Sequence, residues 1–228
     1  ATELSGGDRY LWMFPPASNQ AQQGFARLVN REARSGQVEV WGIDASGRRS
    51  AGTITLTLAP HESRQFNSQD AEWGNADKGL TGALGSGEGN WTLVVRSDLD
   101  LEPLAYIRTP DGFLTAMHDR VAGDGVDWVV PVFNPAENVN QVSWLRLVNT
   151  SLAPVDVEIR GVDDSGRPGS GSVVLTLPAR ATRELSAADL EAGNAGKGLT
   201  GALGDGAGKW RLHIAATGRI TAQSLLAD

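Results

Sequence analysis

Few residues of this chain are of types that carry acid–base or nucleophilic chemistry. The sequence has three histidines and no cysteine, which excludes thiolate nucleophiles, disulfides and cysteine-based zinc sites. His118 precedes Asp119, and such a pair is two-thirds of the acid–base set of a serine hydrolase. No G-x-S-x-G motif accompanies the pair, and neighbouring residues on a strand point to opposite faces of a sheet. We therefore predict a strand-end or linker role for these two residues and a protein that is not an enzyme.

Two groups of carboxylates remain as alternatives. A hydrolase would need converging acids, and Glu72, Asp77 and Glu88 are the candidates in this sequence.

The second group, Asp119, Asp124 and Asp127, lies in a segment that also contains Gly123 and Gly125. Calcium prefers oxygen ligands, so these acids are calcium candidates, although the full D-x-D-x-D-G spacing is missing. We expect an ordinary solvated linker here, with neither a metal nor a cofactor.

The organisation that must position any site is an internal repeat with an offset of 119 residues. KGLTGALG at Lys78–Gly85 returns at Lys197–Gly204, and Trp91 returns at Trp210 (210 − 91 = 119). Self-similarity of this length at a fixed, gapless offset predicts two copies of one domain. We place the domains at residues 1–119 and 120–228, each large enough to bury its own core.

The period of the apolar residues predicts an all-β fold. TITLTL at Thr53–Leu58 and QVEV at Gln37–Val40 alternate polar and apolar residues, which is typical of half-buried strands. Short turn signals separate such segments. We also predict two short helical turns, because Ser186 is a typical N-cap with an acid three residues later and Gly193 stands where a helix would stop. We predict two tandem antiparallel β-sandwich domains of seven or eight strands each.

The glycine-rich run Gly79–Gly89 contains G-x-G patterns but does not have the context of a phosphate-binding loop. Such a loop must follow a strand and open a helix, whereas this run leads into an apolar strand beginning at Trp91. We predict a structural hairpin or Ω-like loop, with Lys78 and Lys197 bonding its carbonyls.

The repeat helps to distinguish core from surface positions, because the residue types at each position can be compared between the two copies. Trp91 and Trp210 recur, and Phe25 corresponds to Trp144, so we predict that all four are core aromatics.

Trp41 and Trp73 do not recur, since Arg160 and Ala192 stand at their second positions. We predict that both are solvent-facing and that they are ligand-binding or partner-binding candidates, either as sugar-stacking platforms or as interface hot spots.

The net charge and the length of apolar segments exclude several classes of partner. A net charge of −7 and a pI near 5.0 give the wrong sign for attraction to nucleic acid or anionic membranes. No stretch approaches eighteen apolar residues, so we expect no membrane insertion. The first residues show no signal-peptide pattern, so we expect that any signal peptide was removed or lay upstream. The lack of cysteine favours export.

Several long segments resemble the tandem β-sandwich, immunoglobulin-like repeat modules of secreted or surface-anchored proteins of Gram-negative bacteria. The resemblance covers most of the chain and depends on AYIRTPDGFLT (Ala105–Thr115), VPVFNP (Val130–Pro135), SWLRLVN (Ser143–Asn149) and GVDDSG (Gly161–Gly166). It implies export, a cell-surface or secreted location, and a non-catalytic role as an adhesive, assembly or spacer domain. A carbohydrate-binding module that uses exposed tryptophan, or an accessory domain of a secreted hydrolase, is the alternative. The implied partners are a protein or a glycan at the cell surface.

The second copy ends before the position of the strand Phe113–His118, so we expect the second domain to lack its last strand. In this alignment a two-residue deletion after Ser97 places Asp228 opposite Asp111 (228 − 111 = 117). Truncation is one interpretation. The other is strand-exchange self-association through the exposed edge of the segment with Ile220, Ala222 and Ser224.

Overall fold

The structure is a computed structural model that describes the backbone of residues 7–112, 114–116, 122–123 and 125–227. Within these ranges the chain is all-β, and its strand pairs are antiparallel. The chain divides into two compact units, with the division between His118 and Asp119.

The first unit contains two sheets that enclose one hydrophobic core. Its described elements are β1 (Asp8–Phe14), β2 (Gln23–Asn30), β3 (Gly36–Ile43), β4 (Ile54–Leu58), β5 (Ser63–Asn67), α1 (Ser68–Trp73), a 3₁₀ turn (Ala76–Lys78), β6 (Trp91–Ser97), β7 (Leu101–Arg108) and β8 (Leu114–Ala116). One sheet has the order β1-β6-β3-β4 and the other β5-β2-β7-β8. Apolar residues from both sheets, from α1 and from the glycine-rich loop form one cluster. The prediction of an antiparallel β-sandwich is confirmed at this level.

The second unit has the same layered arrangement. Its described elements are β9 (Ala122–Gly123), β10 (Asp127–Phe133), β11 (Val142–Asn149), β12 (Val155–Asp163), β13 (Val173–Leu177), β14 (Thr182–Ser186), α2 (Ala187–Ala192), a 3₁₀ turn (Ala195–Lys197), β15 (Thr200–Gly201), β16 (Trp210–Ala216) and β17 (Ile220–Ala227). The sheets have the orders β15-β13-β12-β16-β10-β9 and β14-β11-β17.

Strand pairing shows that the 119-residue offset continues to the end of β17. Gln23 pairs with Arg108 across β2 and β7, and Val142 pairs with Ala227 across β11 and β17 (142 − 23 = 119 and 227 − 108 = 119). The two-residue deletion predicted after Ser97 is therefore wrong. The prediction failed because few residues in this segment are identical, so only the hydrogen-bond register fixes the alignment.

A buried tryptophan stands at the centre of each core, as predicted. Trp91 and Trp210 are 1 % and 2 % exposed. The Trp91 indole lies against Gly42 of β3 and Gly87 of the glycine-rich loop, where an added Cβ would approach the ring to 2.4 and 2.3 Å. These glycines are needed because the ring fills the space that a side chain would occupy. The glycine-rich loop thus packs on an indole, which supports the prediction of a structural loop.

The predicted exposure of Trp41 is wrong. Its side chain does lie on the outer parity of β3, but it is 5 % exposed and packs with Ile43 and Val94. The guanidinium groups of Arg49 and Arg96 lie 4.6 and 4.8 Å from the centre of its ring. Arginine side chains cover apolar surface while their charged ends stay in water, so an outward-facing tryptophan can be buried by its neighbours.

Two of the four predicted core aromatics lie outside the core. Phe25 and Trp144 are half-buried on the outer parity of β2 and β11. Each contacts a cation, since Arg108 lies 5.6 Å from the Phe25 ring and Lys197 lies 5.3 Å from the Trp144 ring. An aromatic residue thus recurs at this position because its ring contacts a cation, and not because it is buried in the core.

Both short helices begin with a capping box and end at a glycine, as the sequence predicted for the second. In α2 the Ser186 hydroxyl accepts a hydrogen bond from the Asp189 N–H, and the Asp189 carboxylate accepts one from the Ser186 N–H. Asn194 and Lys197 also donate to Asp189, at 2.6 and 2.5 Å. The lysine thus binds a carboxylate in addition to the Glu184 carbonyl. Burial raises the pKa of Asp189, but the bonds from Lys197, Ser186 and Asn194 outweigh it and lower this pKa to about 2.

We expect Trp210→Ala to lower the free energy of unfolding by about 3–5 kcal/mol, because the substitution leaves a large cavity in the second core. Urea unfolding followed by circular dichroism measures the change. Trp73→Ala, which removes an exposed indole, is the matched control and should change stability by less than about 0.5 kcal/mol. Equal losses for the two variants would contradict the assignment of Trp210 to the core.

We expect Asp189→Asn to reduce stability at pH 7 and to flatten its dependence on pH. The folded pKa of about 2 is lower than the usual 3.8, so the stabilisation by Asp189 is complete above pH 4 and disappears as the pH falls through 2. The stability at issue is roughly 2 kcal/mol. Urea unfolding at pH 7, 3.5 and 2.5 tests this, with the exposed Asp205→Asn as control. An unchanged slope between pH 4 and 2 in the Asp189→Asn variant would contradict the assignment.

Candidate functional site

A polar cleft of about 270 Å³ opens at one end of the first unit. Three segments form it: the connection from β1 to β2, the first turn of α1, and the end of β7 with the turn that follows. Its lining consists of Pro16, Ala17, Asn19, Gln20, Gln22, Gln23, Ser68, Gln69, Arg108, Thr109 and Pro110.

The connection from β1 to β2 is held in shape by its own asparagine. The Asn19 N–H donates to the Pro16 carbonyl at 3.0 Å, and the Asn19 side-chain oxygen accepts from the N–H groups of Ala21 and Gln22, both at 3.0 Å. Asparagine favours such turns because its side chain substitutes for a backbone acceptor. The cleft wall is therefore a preformed turn.

Ser68 joins the start of α1 to β2 and to the loop that follows β1, behind the cleft. Its hydroxyl accepts from the Gly24 N–H at 3.0 Å and donates to the Pro15 carbonyl at 2.7 Å. An added Cβ at Gly24 would lie 3.0 Å from Pro15 and 3.1 Å from the Ser68 oxygen, so Gly24 leaves room for this hydroxyl. The start of α1 is thereby fixed against β2 and the preceding loop.

The walls of the cleft present primary amides. Gln20 and Gln69 are exposed and Gln22 is half-buried. Among the described residues these three amides have no hydrogen-bond partner. An amide offers two donors and one acceptor with two lone pairs, so these groups can bond to a polar ligand in both directions.

Arg108 is the charged residue in the lining, and the sheet fixes its place. It pairs with Gln23 across β7 and β2, and its Nη2 donates to the Gln23 side-chain oxygen at 3.2 Å. Its guanidinium lies over the Phe25 ring. The amide and the ring together orient the positive charge at the mouth of the cleft.

The helix α1 continues the cleft surface with an aromatic side chain. Only Gln69 and Trp73 are exposed on this helix, and they are four residues apart. Residues at this spacing lie next to each other on one helix face. Trp73 is 70 % exposed, so a flat apolar ring stands one turn from the amide of Gln69.

The second unit keeps the turn of this region and some of its lining residues, including Gln141 for Gln22, but replaces most of the other polar side chains. Asn138 bonds to Pro135, Asn140 and Gln141 as Asn19 does to its own neighbours. The side chains 119 residues later are smaller or apolar: Val139 for Gln20, Val142 for Gln23, Ala187 for Ser68, Ala188 for Gln69, Ala192 for Trp73 and Ala227 for Arg108.

The hydroxyl behind the cleft belongs to a different element in the second unit. In the second unit Ser143 stands at the position of Gly24, and its oxygen accepts from the Asn134 N–H at 2.8 Å. Ala187 stands opposite it, where the first unit has Ser68. The hydroxyl is thus carried by the helix in the first unit and by the strand in the second, while Gln20, Gln69 and Arg108 have no polar counterpart.

The residues predicted as binding sites lie in different places. Trp73 is exposed, as predicted, and lies one helical turn from Gln69 of the cleft lining. Trp41 is buried under two arginines on the outer face of a sheet, so its ring offers no exposed stacking surface. Ile220 and Ala222 point into the second core at 2 % and 0 % exposure, and Ser224 is half-buried. The side chains of Ile220 and Ala222 are therefore not available to a partner at this edge.

Two of the three candidate carboxylates, Glu72 and Glu88, have structural partners. Glu72 is buried and accepts from the Trp91 indole N–H at 2.8 Å. Asp77 is exposed on a 3₁₀ turn, and Glu88 lies 3.6 Å from Arg48.

The calcium candidates are only partly described. Asp127 lies on β10, 3.8 Å from the His213 ring nitrogen, while Asp119, Asp124 and His118 lie outside the described residues. In the part of the chain that the structure describes, no group of three or more histidine and acidic side chains is placed to hold a metal. No helix in the same part is long and apolar enough to cross a membrane.

Comparison of the chain with protein-family models, with curated proteins and with solved structures found no match. The site must therefore be interpreted from its own chemistry.

The sequence analysis named Trp73 as a candidate but did not name the cleft residues Gln20, Gln23, Gln69 and Arg108. The signal was present in the differences between the two copies, because polar residues in the first face alanine or valine in the second. It could not be recognised from the sequence, since these residues come together only when three separate segments meet at one end of the sandwich.

Proposed function

We propose that this chain is a non-catalytic tandem module of an exported bacterial protein, in which the first domain binds a ligand at the cell surface and the second supports it. In this proposal the two units are copies of one immunoglobulin-like β-sandwich. The module serves adhesion or assembly, either within a surface protein or beside a secreted hydrolase.

One observation carries the proposal: a polar cleft with an exposed tryptophan stands on one of two otherwise corresponding frameworks. Trp73 and Gln69 form the exposed face of α1, whereas Ala192 and Ala188 form that of α2. Both helices keep the same capping box and the same glycine end. Because alanine satisfies the fold at these positions, the larger side chains on α1 are not needed for folding. Exposed aromatic residues with nearby polar groups are typical of binding sites.

Export and an immunoglobulin-like identity are supported by the resemblance of the sequence segments, by the acidic composition and by the absence of cysteine. A non-catalytic role is supported by the structural partners of Glu72 and Glu88, whose carboxylates stabilise the core and a loop.

The test uses the whole chain and the double variant Gln69→Ala/Trp73→Ala, which gives α1 the exposed face of α2. Retention is measured on immobilised surface polymers and proteins: sacculi, extracellular polysaccharide, mucin and extracellular-matrix protein. We expect the parent chain to bind at least one of them and the double variant to lose at least about tenfold in affinity. Val139→Ala, at the corresponding loop of the second unit, should bind like the parent. Failure of the parent to bind any of them, or equal binding by the double variant, would contradict the proposal.

A second candidate function, assembly of copies through strand exchange, is favoured by the edge of the second unit. β7 pairs with β2 on one side and β8 on the other, whereas β17 pairs, among the described residues, with β11 alone. An unpaired edge exposes N–H and C=O groups to which a strand of another chain can bind. Leu226, 60 % exposed on this strand, adds apolar surface to the edge.

For this candidate we expect the mass of the parent chain, measured by light scattering, to rise with concentration up to about 1 mM. Leu226→Lys should keep the chain monomeric, because an edge lysine opposes strand addition. Val174→Lys places the same charge on β13, which has strands on both sides, and should leave the association unchanged. A parent chain that is monomeric at all concentrations would exclude assembly by this route.

A further inference from the structure

The charge inside the cleft is opposite to that of the protein. Arg108 is the one charged side chain in the lining, on a chain with a net charge of −7. Its contact with Gln23 uses Nη2, and its other N–H groups have no partner among the described residues. A guanidinium held by an amide and a ring, with donors directed to solvent, has the geometry to bind a carboxylate through two parallel hydrogen bonds.

We propose, on the basis of the function proposed above, that the cleft binds an acidic glycan: a sugar carboxylate pairs with Arg108, and an adjoining sugar ring stacks on Trp73. The ligand is thus an oligosaccharide that contains a carboxylate-bearing sugar.

The amides favour a sugar over an apolar acid. Gln20, Gln22 and Gln69 surround the cleft with donors and acceptors, and a hydroxyl group needs both. An apolar ligand would displace water from these amides without replacing its hydrogen bonds, which weakens binding. A ligand rich in hydroxyls satisfies them.

The dimensions favour a chain of sugars over a single compact ligand. A volume of about 270 Å³ lies just below the range of about 300–1,000 Å³ for pockets that enclose drug-sized molecules. The cleft therefore holds one ring, and the rest of the ligand lies outside it. Trp73, one helical turn beyond Gln69, offers a flat apolar surface to the C–H face of the next sugar.

The second unit serves as an internal negative control. It has Val142 and Ala227 in place of Gln23 and Arg108, and it places Lys197 over the Trp144 ring instead. That lysine is already bound to Asp189. The inference thus assigns one acidic-glycan site to the chain, in the first unit.

Calorimetric titration of the full chain with tetragalacturonate and with cellotetraose tests the inference. We expect the acidic tetrasaccharide to bind at least about tenfold more tightly than the neutral one, with a stoichiometry of one per chain. Arg108→Gln should weaken the acidic ligand about tenfold and leave the neutral one unchanged, while Trp73→Ala should weaken both. Arg108→Lys, which keeps the charge but not the fork, should restore less than half of the lost binding energy. The control is again Val139→Ala, with parental binding.

Different failures separate this inference from the function on which it rests. If the chain binds a surface protein or a neutral polymer with Trp73 dependence, but Arg108→Gln changes nothing, the acidic-glycan inference is wrong and the binding module stands. If neither tetrasaccharide binds and the Gln69→Ala/Trp73→Ala variant matches the parent on every surface tested, both are wrong. Two sites per chain would also overturn the assignment to the first unit.

Discussion

Each unit depends on a hydrogen bond between a core tryptophan and a glutamate on the short helix. The Trp91 indole donates to Glu72 at 2.8 Å, and the Trp210 indole donates to Glu191 at 2.8 Å. A hydrogen bond to a charged group inside a protein contributes about 1.5–3 kcal/mol, and an unpaired buried carboxylate costs more than that. The bond ties one sheet to the helix, and the glycine-rich loop covers the indole. The helix in turn carries Gln69 and Trp73, so the position of the candidate site follows from a contact in the core.

The sequence was sufficient for the architecture, because strand periodicity and a repeated core pattern are local signals that tertiary structure preserved. It predicted the antiparallel layers, the capped helix after Ser186 and the burial of Trp91 and Trp210. It failed where burial depends on neighbours from other strands. Trp41 lies on the outer parity and is nevertheless covered by Arg49 and Arg96, whereas Phe25 recurs as an aromatic position without entering the core. Period-two patterns give the face of a sheet but not what covers that face.

The cleft was beyond sequence reasoning for a related reason. Its lining comes from residues 16–23, from 68–69 and from 108–110, and none of these segments carries a motif. The two copies together contain the missing information, because six exposed or lining side chains differ between them while the local backbone is kept. Side chains that differ in this way are not required by the fold. Gln20, Gln69 and Trp73 are among the side chains that the fold does not require. Asn19 and Asn138 are required by the fold, because they form the same turn in both units.

The exchange of the buried hydroxyl between the units limits how such genes can recombine. Tandem copies invite unequal crossing-over, in which the front of one copy is joined to the back of the other. A crossover between positions 24 and 68 has two products. One combines Gly24 with Ala187 and has no hydroxyl at this place. The other combines Ser143 with Ser68 and has two hydroxyls where a Cβ added at Gly24 would already lie 3.1 Å from the Ser68 oxygen. The first product lacks the link between helix and strand, and the second is overpacked. Recombination between these two positions is therefore disfavoured, so Gly24 is inherited together with Ser68, and Ser143 together with Ala187.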